Sequence, residues 1–143
     1  MKVWLSLWKS SKAVERFARK DIEDSGVCLS DFAVLELLMH KHRMPVNTIG
    51  KKVFLTSGSI TSAIDRLEQK GFVERILNSE DRRIKEVCLT QTGKTFIEPV
   101  FEKHATSMNK AMKHLSKDEK KILVELLRKV RIKVETDSSE NAE

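Results

Sequence analysis

The 143-residue sequence has little cysteine and no long hydrophobic run, and each shortage excludes a class of protein. Its two cysteines, Cys28 and Cys88, are too few for a disulfide framework and indicate a reducing compartment. No apolar segment approaches the ~20 residues of a membrane-spanning helix. The short apolar start at residues 3–8 is followed by no small-residue cleavage site, so it reads as the beginning of a helix. We therefore expect a soluble, cytoplasmic protein that makes no membrane contact.

Patterns that would indicate catalysis are also missing. Gly93-Lys94-Thr95 resembles the end of a phosphate-binding loop, but Cys88 stands where that loop requires its upstream glycine. No Ser-His-Asp or Cys-His arrangement can be argued, and the carboxylate pairs fall on faces predicted to be solvated. We expect neither an enzyme nor a bound cofactor.

Basic residues, by contrast, are in excess. The chain has 27 Lys and Arg against 21 Asp and Glu, a net charge of +6. The excess lies in the middle of the chain, because residues 41–94 contain eleven basic and six acidic side chains, whereas the last seven residues are acidic and polar. A basic central region favours an anionic partner such as nucleic acid.

Hydrophobic periodicity predicts four helices in the first half of the chain. The first covers residues 2–25 and stops at Gly26, and the second is capped by Ser30. A short third helix at about 48–54 leads through a polar turn at residues 55–58 to a fourth. The fourth helix ends at Gly71 and has one apolar face, formed by Ile60, Ala63, Ile64 and Leu67. Two short helices joined by a tight turn, the second presenting small polar and basic residues, predict a helix-turn-helix.

After Gly71 the pattern changes to that of β-strands. Residues 72–77 and 84–90 are rich in Val, Ile, Leu and Phe and predict two strands. The polar hairpin tip between them carries the adjacent arginines Arg82 and Arg83. This hairpin is predicted to be a wing.

Two long helices are predicted to close the chain. The first covers about 91–114, with Pro99 near its first turns, and the second begins with a capping box of Ser116 and Glu119. The polar end from Asp137 is predicted to be disordered. The fold class is therefore mostly α with a small β-wing. The last helix carries an apolar stripe of Ile122, Leu123, Leu126, Leu127, Val130 and Val134.

Short polar side chains occupy the start of the fourth helix. A recognition helix in the major groove needs them there, since bulky side chains would hold its backbone away from the base edges. The same hydroxyls would also cap and solvate an ordinary surface helix, so the helix alone leaves both interpretations open. The candidate DNA-facing residues are Ser57, Ser59, Thr61, Ser62 and, one turn further on, Arg66.

The wing favours DNA binding. Arg82 and Arg83 at its tip are placed to enter a narrow minor groove, whose negative potential attracts arginine, and Asp81 could hold one of them extended. The alternative is a plain solvated turn, and the helix-turn-helix directly before the hairpin argues against it. Residues that would fix position through phosphate contacts are Lys51, Lys52, Arg75 and Lys85.

Several segments resemble the MarR family of transcriptional regulators, and the resemblance covers nearly the whole chain. They are Asp31-Phe32-Ala33-Val34-Leu35, LTSGSITSAIDRLEQKGFVER, the wing SEDRR and the following CLTQTGK. The most specific elements are a recognition helix followed by Asp81-x-Arg83, and then by Leu89-Thr90-x-x-Gly93.

This resemblance implies a triangular homodimer in which the first, fifth and sixth helices of both subunits intertwine. It also implies two lobes that read the halves of a pseudo-palindromic double-stranded operator about one helical turn apart. The position of Arg83 would enter the minor groove, supported by Asp81. The implied division is an N-terminal dimerisation helix (1–29), a winged helix-turn-helix lobe (30–93), C-terminal dimerisation helices (94–136) and a disordered tail (137–143).

The regulatory role also follows from the resemblance. Most relatives are repressors released by a small molecule, often phenolic, and FAVLELLMHK followed by TSGSIT looks most like the branch that responds to quinones and related electrophiles. The effector would occupy an apolar pocket between the dimer helices and the lobe. Candidate lining residues, which fit an ordinary core equally well, are Trp8, Phe17, Phe32 and Met39, with Trp4 beside them.

A thiol-based redox response is one alternative within the same fold. It needs an activated, exposed cysteine. Cys28 precedes the second helix, but its acidic neighbours Glu23 and Asp24 disfavour a thiolate. Cys88 lies on a predicted wing strand and fits a packed small hydrophobe.

Zinc sensing and non-specific DNA coating are two further hypotheses. Cys28, His40 and His104 have a suitable separation for zinc, but Met39 and Met108 stand where zinc-sensing relatives use Glu and His. Thioethers are poor zinc ligands, so we expect no metal site. An architectural protein would coat DNA without sequence preference.

Overall fold

The computed structural model describes residues 1–78 and 83–140, with side chains up to residue 136. Two compact units are present, Met1–Ser107 and Met108–Glu143. No helix within the described ranges is long and apolar enough to cross a membrane. The elements are α1 (Lys2–Glu23), α2 (Leu29–Lys41), β1 (Arg43–Pro45), α3 (Val46–Lys52), α4 (Ser57–Gln69), β2 (Val73–Leu77), β3 (Lys85–Leu89), α5 (Gln91–Ala111) and α6 (Lys117–Glu140).

The core of the first unit forms around the apolar face of α4, as the periodicity predicts. Ile60, Ala63, Ile64 and Leu67 are all buried, and they pack with buried residues of α2, α3, the sheet and α5. Burial of that face leaves the opposite side of α4 in solvent. The wider core includes Ile22, Phe32, Val34, Leu35, Leu38, Ile49, Val73, Val87, Leu89 and Ile97.

The sheet has three antiparallel strands in the order β1-β3-β2. The hairpin of β2 and β3 confirms the two predicted strands, with Val73 opposite Leu89 and Leu77 opposite Lys85. Strand β1 was not predicted, since three residues are too few for a period and Pro45 suggested a connection. It pairs Arg43 with Cys88 at the edge of the sheet, a place where proline is tolerated.

The Leu-Thr-x-x-Gly segment joins the end of α4, the sheet and the start of α5. The Thr90 hydroxyl donates to the Gly71 carbonyl at 2.6 Å and accepts from the Gly93 N–H at 3.0 Å. Gly71 has a φ of +71°, as a glycine that ends a helix does. A Cβ at Gly93 would lie 1.9 Å from the Phe72 carbonyl oxygen, so only glycine fits there.

Three helix starts differ from the prediction, and the first is that of α3, which begins at Val46 rather than at about residue 48. Helix α2 begins at Leu29 with Cys28 at its cap, so Ser30 is already helical and the predicted Ser30 cap is wrong. The Ser30 hydroxyl instead lies 3.0 Å from the Cys28 Sγ. Helix α4 begins at Ser57, and its cap is Thr56, whose Oγ1 accepts from the Ser59 N–H at 3.3 Å.

The second unit contains α6 and confirms the capping box at its start. The Ser116 N–H donates to the Glu119 carboxylate at 2.7 Å, and the Glu119 N–H donates to the Ser116 hydroxyl at 3.2 Å. The helix runs to Glu140, through the first four residues of the segment predicted to be disordered, because no Gly or Pro interrupts residues 116–140. Residues 141–143 of that segment lie outside the described residues.

Candidate nucleic-acid interface

The polar face of α4 gathers the hydroxyl residues selected from the sequence. Ser57, Ser59, Thr61 and Ser62 are all exposed. The Thr56 hydroxyl donates to the Ser59 Oγ at 2.9 Å, and the Thr61 hydroxyl donates back to the Ser57 carbonyl at 2.9 Å. Beside them is a depression of about 500 Å³ lined by Ser30, Leu55, Thr56, Gly58, Ser59, Ser62 and Arg66.

Arg66 is placed differently from the hydroxyls. Its Nη2 and Nε donate to the two carboxylate oxygens of Asp31 at 2.6 and 3.1 Å. Asp31, in the first turn of α2, is buried, and its hydrogen bond with Arg66 is the main reason that the pKa of Arg66 is raised. The Arg66 Nη2 also lies 3.9 Å from the Cys28 Sγ. The predicted DNA contact is therefore already engaged by a buried carboxylate.

The Arg75 side chain is also paired with carboxylates of its own chain. It extends from β2 and forms ion pairs with Asp65 and Glu68 on α4. The hydrogen bond with Asp65 is the main cause that raises the pKa of Arg75. Two carboxylates of its own chain therefore hold this half-buried side chain, and its role as a phosphate contact stays a prediction.

The remaining basic candidates lie on the surface of the lobe. Lys51 and Lys52 are exposed in the last turn of α3, and Lys85 is exposed at the start of β3. Arg83 is exposed just before β3. Asp81 and Arg82 lie outside the described residues.

The four candidate effector residues line neither the depression beside α4 nor the cleft described next. Trp8 and Phe17 are 50% and 43% exposed on α1, Phe32 is buried, and Met39 is half-buried against the core. A cleft of about 250 Å³ instead opens between α1 and α5. It is lined by Asp21, Ile22, Asp24, Ser25, Pro99, Val100, Lys103 and His104.

A hydrogen bond between a histidine and a carboxylate spans that cleft. The His104 Nδ1 lies 2.7 Å from an Asp21 carboxylate oxygen, and the Phe32 ring packs edge-on against the His104 ring at 4.9 Å. Burial acts to raise the pKa of Asp21, but hydrogen bonds from Ser107 and His104 outweigh it and the pKa is lowered.

The two cysteines are separate. Cys28 is exposed and Cys88 is half-buried on β3. Burial, together with the nearby Glu74 carboxylate, raises the pKa of the Cys88 thiol, which agrees with a packed side chain. Within residues 1–78 and 83–140, no group of three or more His, Cys, Asp and Glu side chains could hold a metal ion.

A helix-turn-helix with an exposed hydroxyl face on its second helix, followed by a hairpin, defines a winged helix-turn-helix protein. Comparison with known proteins gives the family. A model of the MarR family matches residues 29–85. The chain is 34% identical over 130 residues to the HTH-type transcriptional regulator MhqR of Bacillus subtilis (strain 168), which covers 91% of this chain and 90% of that protein.

Further relatives agree. The chain is 29% identical to the HTH-type transcriptional repressor YetL of Bacillus subtilis (strain 168), over 89% of this chain and 77% of that protein. Among solved structures, reduced AbfR bound to DNA is 26% identical with a TM-score of 0.69, covering 94% of this chain and 93% of that one. Wild-type apo MarR from E. coli is also 26% identical, with a TM-score of 0.73 and coverages of 87% and 93%.

The chain belongs to the MarR family. The predicted family and fold class are confirmed. The protein is a DNA-binding transcriptional regulator rather than an enzyme.

Proposed function

We propose that the protein is a homodimeric repressor that reads a pseudo-palindromic operator with α4 in the major groove of each half-site. The observation that carries the proposal is the division of α4 into a buried apolar face and an exposed face of four short hydroxyl residues at its capped start. Short side chains let the helix backbone approach the base edges, and the helix N-terminus attracts phosphate. Ser57, Ser59, Thr61 and Ser62 are the residues we assign to this surface.

The wing and α3 would supply the contacts outside the major groove. Arg83 precedes β3 and is assigned to the minor groove, with Asp81 and Arg82 at the hairpin tip as its predicted neighbours. Lys51 is exposed at the end of α3 and is assigned to a backbone phosphate. Phosphate contacts of this kind set the register of the lobe but do not read sequence.

Dimerisation is supported by exposed apolar side chains on α1 and α6. Trp4 and Trp8 on α1 are 60% and 50% exposed, and Leu126 on α6 is 54% exposed. Exposed apolar side chains that recur along one helix are typical of an association surface. We therefore retain 1–29 and 94–136 as dimerisation regions, with 30–93 as the reading lobe.

Two further parts of the proposal rest on the family. The relatives include bacterial proteins, and bacterial chromosomal DNA lies in the cytoplasm, so we place the protein there. Release would follow from a phenolic or quinone-like effector that binds one arrangement of the lobes better than the other. The cleft beside Asp21 and His104 is a second place, besides the predicted aromatic residues, where such a molecule could bind.

The central experiment is a pair of titrations with operator and random DNA. The operator is first recovered by mapping the bound promoter on the chromosome. At physiological salt we expect a specificity ratio of ~10³ or more, as for specific regulators in general. A ratio near one would favour an architectural protein and contradict the proposal.

The wing has its own variant in the same assay. Arg83→Ala should weaken operator binding by about tenfold and flatten the preference at flanking A·T pairs. An operator affinity equal to wild type would exclude the minor-groove assignment.

For release, a phenol and a benzoquinone are titrated into the operator complex of wild type and of Cys28→Ser. A response that persists in Cys28→Ser supports reversible binding, whereas one that disappears supports a thiol-based response.

A further inference from the structure

We infer that Arg66 and Asp31 form a positioning pair that fixes the angle of the recognition helix on the lobe, and that Arg66 does not itself contact DNA. The inference rests on the proposed function of α4 as the recognition helix. It assigns Arg66 a role different from that of the hydroxyl residues on the same helix, and it assigns Asp31 a role in DNA recognition although this carboxylate is buried.

The geometry of the pair is that of a two-point attachment. Two nitrogens of Arg66 donate to the two different oxygens of Asp31, at 3.1 and 2.6 Å. A planar guanidinium that engages both carboxylate oxygens fixes orientation as well as distance. Since the residues are 35 positions apart, the attachment joins the last turn of α4 to the first turn of α2.

Burial makes Asp31 dependent on this partner. Its side chain keeps only 3% of its surface, whereas that of Arg66 keeps 46%. A buried carboxylate is costly unless a counter-charge satisfies it. If Arg66 turned outward to a phosphate, the Asp31 carboxylate would stay buried without a counter-charge. The pair is therefore expected to persist when the protein is bound to DNA.

Two further sets of contacts hold α4 in place. One joins its end to the connection between α1 and α2, and the other joins its opposite flank to β2. At the C-cap of α4, the Lys70 Nζ donates to the Gly26 carbonyl at 2.6 Å, so the end of α4 is also tied to the connection between α1 and α2. On the opposite flank, Arg75 of β2 pairs with Asp65 and Glu68. These charged residues hold the helix, while the hydroxyl face is left for DNA.

The consequence for recognition is geometric. Base-edge hydrogen bonds form only when the helix lies at the correct depth and angle, and side chains that touch no ligand supply that alignment in binding sites. Loss of the pair should therefore reduce operator binding more than binding to random DNA, which depends mainly on phosphate charge.

Asp31→Asn distinguishes the two possible roles of Arg66, a phosphate contact or a positioning residue, because they predict different changes in operator affinity. If Arg66 contacted a phosphate, removal of the competing carboxylate would leave operator affinity equal or tighter. If the pair positions α4, Asp31→Asn should weaken operator binding by about tenfold, within the range of coupling between contacting residues, and random-DNA binding by less than about twofold.

Arg66→Lys gives the second test. Lysine keeps the charge but cannot engage both carboxylate oxygens. A positioning pair predicts about a tenfold loss of operator affinity, a phosphate contact predicts near wild-type affinity, and the Asp31→Asn/Arg66→Lys double variant should be little worse than either single variant. Arg19→Lys is the matched control, because Arg19 forms an exposed ion pair with Glu15 on α1.

Melting curves and light scattering identify variants that are folded and have wild-type assembly at the assay temperature. Partial unfolding alone would lower operator and random-DNA binding by the same factor, so a changed ratio in a folded variant reports positioning. If Asp31→Asn does not fold, Arg66→Lys decides the question, since its side chain is half exposed. Wild-type operator affinity for Arg66→Lys, or tighter binding by Asp31→Asn, would overturn the inference. A wild-type protein that does not distinguish operator from random DNA would instead overturn the proposed function.

Discussion

The first unit encloses a core of its own, whereas α6 in the second unit leaves its apolar stripe exposed. In the first unit, Leu35, Ile49 and Ile64 are completely buried. In α6, Leu123 and Leu126 keep 41% and 54% of their surface, although they follow the same helical period. Periodicity therefore predicts that a helix has an apolar face, but it does not show whether the same chain buries that face.

Helix α1 contains both kinds of surface. Toward its end, Ala18 and Ile22 are buried in the lobe. At its start, Trp4 and Trp8 are at least half exposed. The transition from buried to exposed apolar residues thus falls within one continuous helix, which explains why no composition shift in the sequence marks it.

The largest expected effect tests the exposed side of this comparison. Leu126→Glu combined with Leu127→Glu places two charges in the stripe of α6, where a subunit interface would bury them unpaired. We expect monomers by light scattering, together with retained hydrogen-exchange protection in residues 30–93.

Arg128→Glu is the matched control. It changes the net charge by the same two units, but on the face of α6 opposite the stripe, so the dimer should persist. A dimer that survives the double leucine variant would place the interface elsewhere and remove the contrast between the two regions.

A smaller effect is expected in the self-contained lobe. Gly93→Ala forces a Cβ toward the Phe72 carbonyl oxygen, where no space exists. The free energy of unfolding should fall by about 3 kcal/mol, the upper part of the range for overpacking, as measured by urea denaturation. Gly58→Ala is the control, because a Cβ there meets nothing within 4 Å. Equal stability of the two variants would mean that the lobe tolerates strain at this junction.

The smallest effect concerns the start of α6. The Ser116 N–H donates to the Glu119 carboxylate and lowers its pKa. A lowered pKa in the folded state means that the stabilisation is present near neutral pH and is lost as the pH falls through that lowered value. Thermal melts should show that Glu119→Gln removes this pH dependence. Asp118→Asn, which removes a charge from the same turn, should retain it, and identical profiles for the two variants would contradict the role of the capping box.

Much of the reading lobe could be predicted because its signals are local. The apolar spacing of α4, the glycine that ends it and the alternating hairpin residues each lie within a few positions of the element they define. The three-residue strand β1 was missed because so short a segment has no period of its own. The cap of α2 was misplaced by two residues because Ser30 has the side chain of a cap, while the backbone places Cys28 there.

The ion pairs of two predicted DNA contacts could not be predicted from the sequence, because they join different elements. Arg66 and Arg75 look like DNA contacts in the sequence because both are basic residues near a helix-turn-helix. Their carboxylate partners lie 35, 10 and 7 positions away, on different elements. The acidic residues Asp65 and Glu68, three positions apart on α4, were a signal that a cation would be drawn to that flank. The buried position of Asp31 had no such signal, since an acidic residue in a first helical turn is ordinarily exposed.

The Thr90 hydroxyl places a chemical constraint on the junction between the end of α4, the sheet and the start of α5. One oxygen atom acts as donor to the Gly71 carbonyl and as acceptor for the Gly93 N–H, and so joins three segments of the chain. An aliphatic residue supplies neither function, a carboxylate only accepts, and an amide divides the two functions between different atoms. Among side chains of this size, serine is the replacement that keeps donor and acceptor on one atom. Only threonine and serine therefore fit the hydrogen bonds at position 90, although the residue lies outside both the apolar core and the surface assigned to DNA.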